Sequence, residues 1–218
     1  SGLKYLVEKE DFDYVILMDG DGEDRPEELD LLFKKSKENP NKAVTANRIK
    51  RSEGFLFKLL YEIHKILTYV FTGKLIKFGN YSCLPKEIAA RLIKESCIWS
   101  SYSGSVTKII PNRVFVPSIR GIRYFGPSQM NLQNLLIHSF SIIAVFKNTV
   151  ILRSILFLII YLFLISNKIS IITLFPVVAI FIFVFIIYKI SSRENIHELN
   201  DSLENINSID NLSNSNSR

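Results

Sequence analysis

The sequence predicts an α/β soluble part followed by a two-helix transmembrane hairpin. Three observations carry this. A short apolar run rich in β-branched residues, 14–18, breaks at once into an acidic loop and then a helix start. Two charge-poor apolar runs follow late in the chain, and residues 139–190 contain only four charged residues: Lys147, Arg153, Lys168 and Lys189. Charge is also segregated, with a net of −6 over residues 1–41 and +11 over 42–138. An acidic head before a basic body suits a cation site beside an anionic ligand or a membrane surface, or simply an unevenly charged solvated surface. Two cysteines among 218 residues cannot frame a disulfide scaffold. No nucleic-acid reader motif accompanies the basic residues, so nucleic acid is not an expected partner.

In chain order, residues 14–18 (YVILM) read as a buried strand. Pro26 followed by Glu27 and Glu28 reads as a helix N-terminus, with Asp24 as its N-cap. Leu29, Leu31, Leu32 and Phe33 supply the apolar face of that helix. Residues 52–71 form a longer helical pattern, with Phe55, Leu59, Ile63, Ile66, Leu67 and Val70 as one stripe. Just before it, Arg48, Lys50 and Arg51 either contact phosphates or are solvated, and His64 within it reads as a packed histidine. Cys83 and Cys97 lack metal-ligand spacing and read as reduced thiols.

Residues 132–146 are apolar with polar interruptions. They fit either an interfacial helix or a buried helix of the soluble part. Residues 150–166 make a first span and 169–188 a second, the latter 20 residues without a charge, or about 30 Å of helix. Pro176 is tolerated in a spanning helix, and Arg153 can snorkel. Lys147, Arg153, Lys189 and Arg193 flank one side, and Lys168 alone the other. The positive-inside rule therefore places both ends in the cytoplasm of a bacterial inner membrane or its equivalent. Residues 191–218 are expected to be a polar, disordered tail with room for a short polar helix. The division expected is thus 1–138 soluble, 139–190 membrane and 191–218 tail.

The acidic loop carries the chemistry. Asp19 and Asp21 are two apart in a loop leaving a strand, where alternate side chains point the same way. They can share one hard cation, Mg²⁺ or Mn²⁺, with Glu23 joining from the same side. Such a metal would neutralise charge on a diphosphate leaving group. An EF-hand reading fails because its sixth place needs Gly and here is Asp24, and its twelfth is Asp30 rather than Glu. An acidic surface turn without a ligand is the plainer alternative.

VILMDGDGEDRPEEL (15–29) resembles the Asp-x-Asp region of family 2 glycosyltransferases, inverting enzymes of the GT-A fold. It looks most like the polyprenyl-phosphate branch, which includes dolichyl-phosphate mannosyltransferase-like proteins. Asp19, Asp21 and Pro26 match that pattern, and Glu23 stands where Gln is usual. RGIRYFGPSQM (120–130) is similar to the family's Arg-x-x-Gly-x-Ser-Lys segment through Arg123, Gly126 and Ser128, with Gln129 in place of Lys. Arg123 could pair with phosphate oxygens, and Gly126 would allow close backbone approach. FGNYSCLPK (78–86) resembles a segment in which several members carry an acceptor base, and that position here is Asn80, which cannot take a proton.

The resemblance covers about residues 1–190. It implies the C-terminal part of a GT-A, Rossmann-like domain, with residues 1–9 as the helix after early strands that lie outside this sequence. It also puts the 52–71 helix near the acceptor and the membrane surface, with core packing as the alternative. The implied activity is a hexosyl transfer, with inversion, from a nucleotide-sugar donor to a lipid-phosphate acceptor, polyprenyl phosphate. Asp19, Asp21 and Glu23 would hold the metal. Arg120, Arg123, Gly126, Ser128 and Gln129 would bind substrate, and Asn80 would occupy the position of the base. A non-catalytic membrane subunit that assists a transferase or flippase is the second reading. A cation-binding membrane sensor is the third. A homo-oligomer stays open.

Overall fold

The computed structural model describes residues 1–50, 55–124, 126 and 131–208. The chain opens with α1 (Gly2–Lys9), β1 (Tyr14–Leu17), a 3₁₀ turn at Pro26–Glu28 and α2 (Leu29–Glu38). Then come β2 (Val44–Lys50), α3 (Phe55–Thr72), β3 (Ser82–Pro85), α4 (Lys86–Leu92), α5 (Tyr102–Ile109) and β4 (Val114–Ile119). The chain continues through α6 (Leu132–Ala144), α7 (Lys147–Ile165), α8 (Ile171–Ser191) and α9 (Ile196–Asn200).

The four strands form one mixed sheet in the order β1-β3-β2-β4. β3 is antiparallel to β1 and to β2, while β2 and β4 are parallel. β1, β2 and β4 therefore all point the same way, and their carboxyl ends share one edge with the start of β3. One face packs through Leu84, Ile88, Leu92 and Val106 against α4 and α5, with α1 closing the layer by Leu3, Leu6 and Val7. The other face packs through Val44, Tyr81, Cys83 and Val116 against Leu32 of α2. Truncating a fully buried Leu such as Leu32 or Leu84 typically costs about 2–5 kcal/mol.

Pro26 opens the 3₁₀ turn with Glu27 and Glu28 in its first turn, as expected, but the residue at the N-cap is Arg25 and no side chain caps it. Asp24 is instead a buried carboxylate with 2% exposure. Of the predicted α2 face only Leu32 is fully buried. Leu29 packs partly, and Leu31 and Phe33 stay exposed, with Phe33 edge-on to Tyr14.

α7 and α8 are long and apolar enough to cross a membrane. At 19 and 21 residues they span about 28 and 31 Å. α8 runs unbroken through Pro176 and starts at a capping box between Ser170 and Thr173. At the base of the hairpin, Ile143, Val145, Val150 and Ile187 are essentially fully buried and join it to the part that carries the sheet. The C-terminal half of α6 is therefore core, and its N-terminal half is largely exposed.

The stripe predicted on α3 is split. Leu67 packs on the hairpin base, while Leu59, Ile63, Ile66 and Val70 are exposed. The side chain of Phe55 lies outside the described residues. α3 is apolar on both sides because it lies along α7: Phe71 meets Phe157 edge-on at 5.8 Å, and Arg153 donates to the carbonyls of Tyr69 (3.3 Å) and Val70 (2.8 Å).

Residues 195–205 hold the short polar helix for which the expected tail left room. Asn195 caps α9 through its side chain, Leu199 is buried, and a 3₁₀ turn follows at Asp201–Asn205. Lys4 of α1 donates to the carbonyls of Leu199 (3.3 Å) and Asn200. Residues 209–218 lie outside the described residues.

Candidate functional site

The sheet assembles the site at its carboxyl edge, where open α/β sheets place ligands. In the β1–β3 register Leu17 faces Ser82. Continuing that antiparallel run brings Asp19 to Asn80, whose Nδ2 donates to Asp19 Oδ1 at 3.0 Å. In the parallel β2–β4 register Arg48 lies beside Ser118, so Arg120 and Arg123 leave β4 at the same edge.

The loop after β1 is turned rather than extended. Gly22 has φ +89°, and the Glu23 N–H donates to Asp21 Oδ1 at 3.0 Å. The expected alternation of side chains is therefore lost: Asp19 meets Asn80, while Asp21 and Glu23 share Arg123. Asp21 Oδ2 lies 2.7 Å from Arg123 Nη2. Glu23, with 11% side-chain exposure, accepts from Arg123 Nε at 3.0 Å and from Arg120 Nη2. That carboxylate holds the Arg123 guanidinium above its ordinary pKa. Backbone bonds join the same two segments: Gly121 N–H to the Glu23 carbonyl at 2.8 Å, and Tyr124 N–H to the Asp21 carbonyl at 2.9 Å.

Two residues outside the candidate set support the loop. Asp24 accepts from the Asp19 N–H at 2.9 Å and from Arg48 Nη2 at 3.4 Å. Burial pushes its pKa up, and these two donors partly offset that. So Arg48, read from sequence as a phosphate contact or a solvated charge, is the partner of a buried acid.

Gly121 supplies the close approach that the sequence assigned to Gly126. A Cβ at Gly121 would sit 2.2 Å from the Gly22 carbonyl oxygen. Gly126 instead has φ +63° with nothing described within 4 Å of a Cβ, so its requirement is the left-handed backbone. Arg51, Ser128 and Gln129 lie outside the described residues.

A cavity of about 1000 Å³ opens from this edge toward the hairpin base. Asp19, Asp21, Arg48, Asn80, Arg120 and Arg123 line its charged end. Leu60, Leu67, Leu135, Phe140, Ile142 and Ile143 line its apolar end, supplied by α3 and α6. Ser82 and Tyr102 pair at 2.6 Å on the domain side, and burial drives the Tyr102 hydroxyl pKa well up. His64 and His138 both reach the cavity. Crowding by the cavity walls, with Arg48 adding, holds His138 below its ordinary pKa although its ring is open to the cavity. Cys83 and Cys97 are free and buried, and burial pushes both thiols up.

Among the described residues no three His, Cys, Asp or Glu side chains converge as a metal-holding group. Asp19 and Asp21 both line the cavity and carry the oxygen donors that suit a hard cation, Asp21 only by giving up the donors its oxygens already have, the Glu23 N–H on Oδ1 and Arg123 on Oδ2. Glu23 does not fit that set, since both its oxygens are taken by guanidinium groups.

Comparison with protein-family models, with curated proteins and with solved structures finds no match for this chain.

Proposed function

We propose that the chain belongs to a membrane-anchored, inverting glycosyltransferase of GT-A type that moves a sugar from a nucleotide-sugar to a lipid-phosphate acceptor, polyprenyl phosphate. The observation that supports this most is the shape of the cavity. It joins a carboxylate–guanidinium edge to an apolar pocket beside two helices long enough to span a membrane. A phosphorylated lipid has the same two-part chemistry. The anchor and the acidic edge thereby serve one substrate.

In this reading Asp19 and Asp21 would hold Mg²⁺ or Mn²⁺. The bound ion would offset charge on the departing diphosphate. Arg123 and Arg120 hold phosphate oxygens in forked geometry. The acceptor phosphate oxygen attacks the anomeric carbon from the face opposite the leaving group. Asn80 cannot remove a proton, but a phosphate acceptor is largely ionised near neutral pH and needs little help. Asn80 instead holds Asp19 in place. Both chain ends lie in the cytoplasm, as the flanking cations direct, and the α1–α9 contact keeps the two ends of the described chain on one side of the hairpin.

The test is sugar transfer in membranes containing the full-length protein, across a panel of nucleotide-sugars with polyprenyl phosphate added. Asp19→Asn and Asp21→Asn are each expected to reduce metal-dependent transfer at least about a hundredfold, the scale for losing a group that stabilises a transition-state charge. Unchanged transfer in both variants would sink the assignment. A non-catalytic membrane subunit is the competing reading. Asn80 in the base position and the carboxylate-bound state of both arginines favour it. Expression of the protein without its neighbours, with no transfer from any donor, would decide for it.

A further inference from the structure

Both arginines at the cavity mouth are held by one carboxylate. Glu23 sits between Arg120 and Arg123, bonded to both, and Arg123 reaches on to Asp21. The loops carrying these groups are also tied by two backbone hydrogen bonds and by the tight Gly121–Gly22 approach. The loops therefore do not need Glu23's charge to stay together, and that charge has a separate consequence. A guanidinium group offers its fork to a carboxylate or to a phosphate in the same geometry. Arg120 and Arg123 line the cavity with their side chains 18% and 28% exposed, so an incoming anion can reach them.

We propose that Glu23 is a built-in competitor for the Arg120–Arg123 pair: phosphate groups entering the cavity bind these guanidinium groups by displacing Glu23. This rests on the reading of the cavity as a phosphate-ligand site and deepens it. Glu23 then positions the arginines and sets the threshold for ligand entry, and it is not a metal ligand. The neutral variant Glu23→Gln keeps the side-chain shape and removes the competing charge. A metal ligand and a competitor respond to it in opposite directions. Loss of a ligand weakens metal-assisted binding, whereas loss of a competitor tightens phosphate binding with or without metal.

The experiment is calorimetric titration of the 218-residue chain in detergent with inorganic pyrophosphate, in Mg²⁺ and in chelator. A second arm uses farnesyl phosphate. The two arms separate a donor-like diphosphate from a lipid phosphate as the ligand that meets the arginines. Glu23→Gln is expected to tighten at least one ligand about fivefold in both buffers, the upper end of what a partly exposed ion pair contributes. Glu23→Asp should stay near the native affinity, and Arg123→Gln should lose the gain when added to Glu23→Gln. Native binding that Glu23→Gln leaves unchanged or weakens overturns the competitor role alone. Binding of neither ligand by either form removes the phosphate reading itself and the competitor with it. Thermal unfolding of each variant identifies any that misfolds, and a Glu23→Gln that unfolds the native loops while Glu23→Asp does not also overturns the proposal.

Discussion

Gly121→Ala should open the junction between the acidic and basic loops while sparing the fold. The new methyl carbon would lie 2.2 Å from the Gly22 carbonyl oxygen and 3.2 Å from Arg25 Cγ. An ordinary carbon–oxygen contact is more than 1 Å longer, so a rigid backbone must move. Absorbing such a clash by strain costs about 1–3 kcal/mol. The alternative is to part the loops and lose the bonds from Gly121 N–H and Tyr124 N–H, at 2.8 and 2.9 Å. Two such bonds contribute about 1–3 kcal/mol net. The two routes are close in cost, and parting is local, because neither core cluster of the sheet includes residues 21–23 or 120–124. The expected destabilisation is therefore about 1–3 kcal/mol, with the arginines carried away from Glu23 and Asp21. Denaturant unfolding in detergent measures the first effect, and pyrophosphate titration measures the second. Gly20→Ala is the matched control, since nothing lies within 4 Å of its Cβ and its φ is ordinary. A Gly121→Ala protein with native stability and native pyrophosphate affinity would show that this contact does not hold the site together.

Two further outcomes follow from charge and burial. His138 has a folded pKa below its ordinary 6.5, first from desolvation and then from Arg48. Between those two values the unfolded chain binds more protons, so stability rises with pH through the window and is lost as pH falls through it. His138→Gln should flatten that acid-side loss in thermal unfolding between pH 7.5 and 5.5, and an identical loss in the variant would refute the cause. Topology is testable against a low background, because both native cysteines are buried. Asn167→Cys at the hairpin tip should react with an impermeant maleimide from outside the cell. Ser192→Cys should react only after permeabilisation, and the reverse pattern would overturn the orientation.

The two long apolar helices were legible because a helix of that length and apolarity is specified by local composition, and 150–166 and 169–188 differ from α7 and α8 by only a few residues at each end. β1 and the helix start at Pro26 were legible for the same reason, through a five-residue apolar run and the N1 preference of proline. Asp24 was misread because an acid just before Pro-Glu-Glu fits a capping role. Its burial against Arg48 depends on β2 lying one strand away from β1, across β3, which no local pattern carries. The α3 stripe left its surroundings open for a related reason. Periodicity identifies an apolar face and not its solvent, and α3 has protein on one side and the continuation of the hairpin's apolar surface on the other.

The segregation of charge into an acidic head and a basic body has its structural counterpart at this edge. Asp21 and Glu23 meet arginines about 100 positions away, and Asp24 meets Arg48. Among the described residues Asp19 alone of these four acids has no ion pair, its side chain being met by the Asn80 amide. The identity of residue 80 therefore matters for more than proton transfer. A carboxylate there would face Asp19 at hydrogen-bond distance, and two like charges so close demand a cation or a shared proton. The amide removes that repulsion and supplies a donor, so Asp19 is held without either. The Asn80 amide thus leaves the Asp19 carboxylate oriented at the charged end of the cavity.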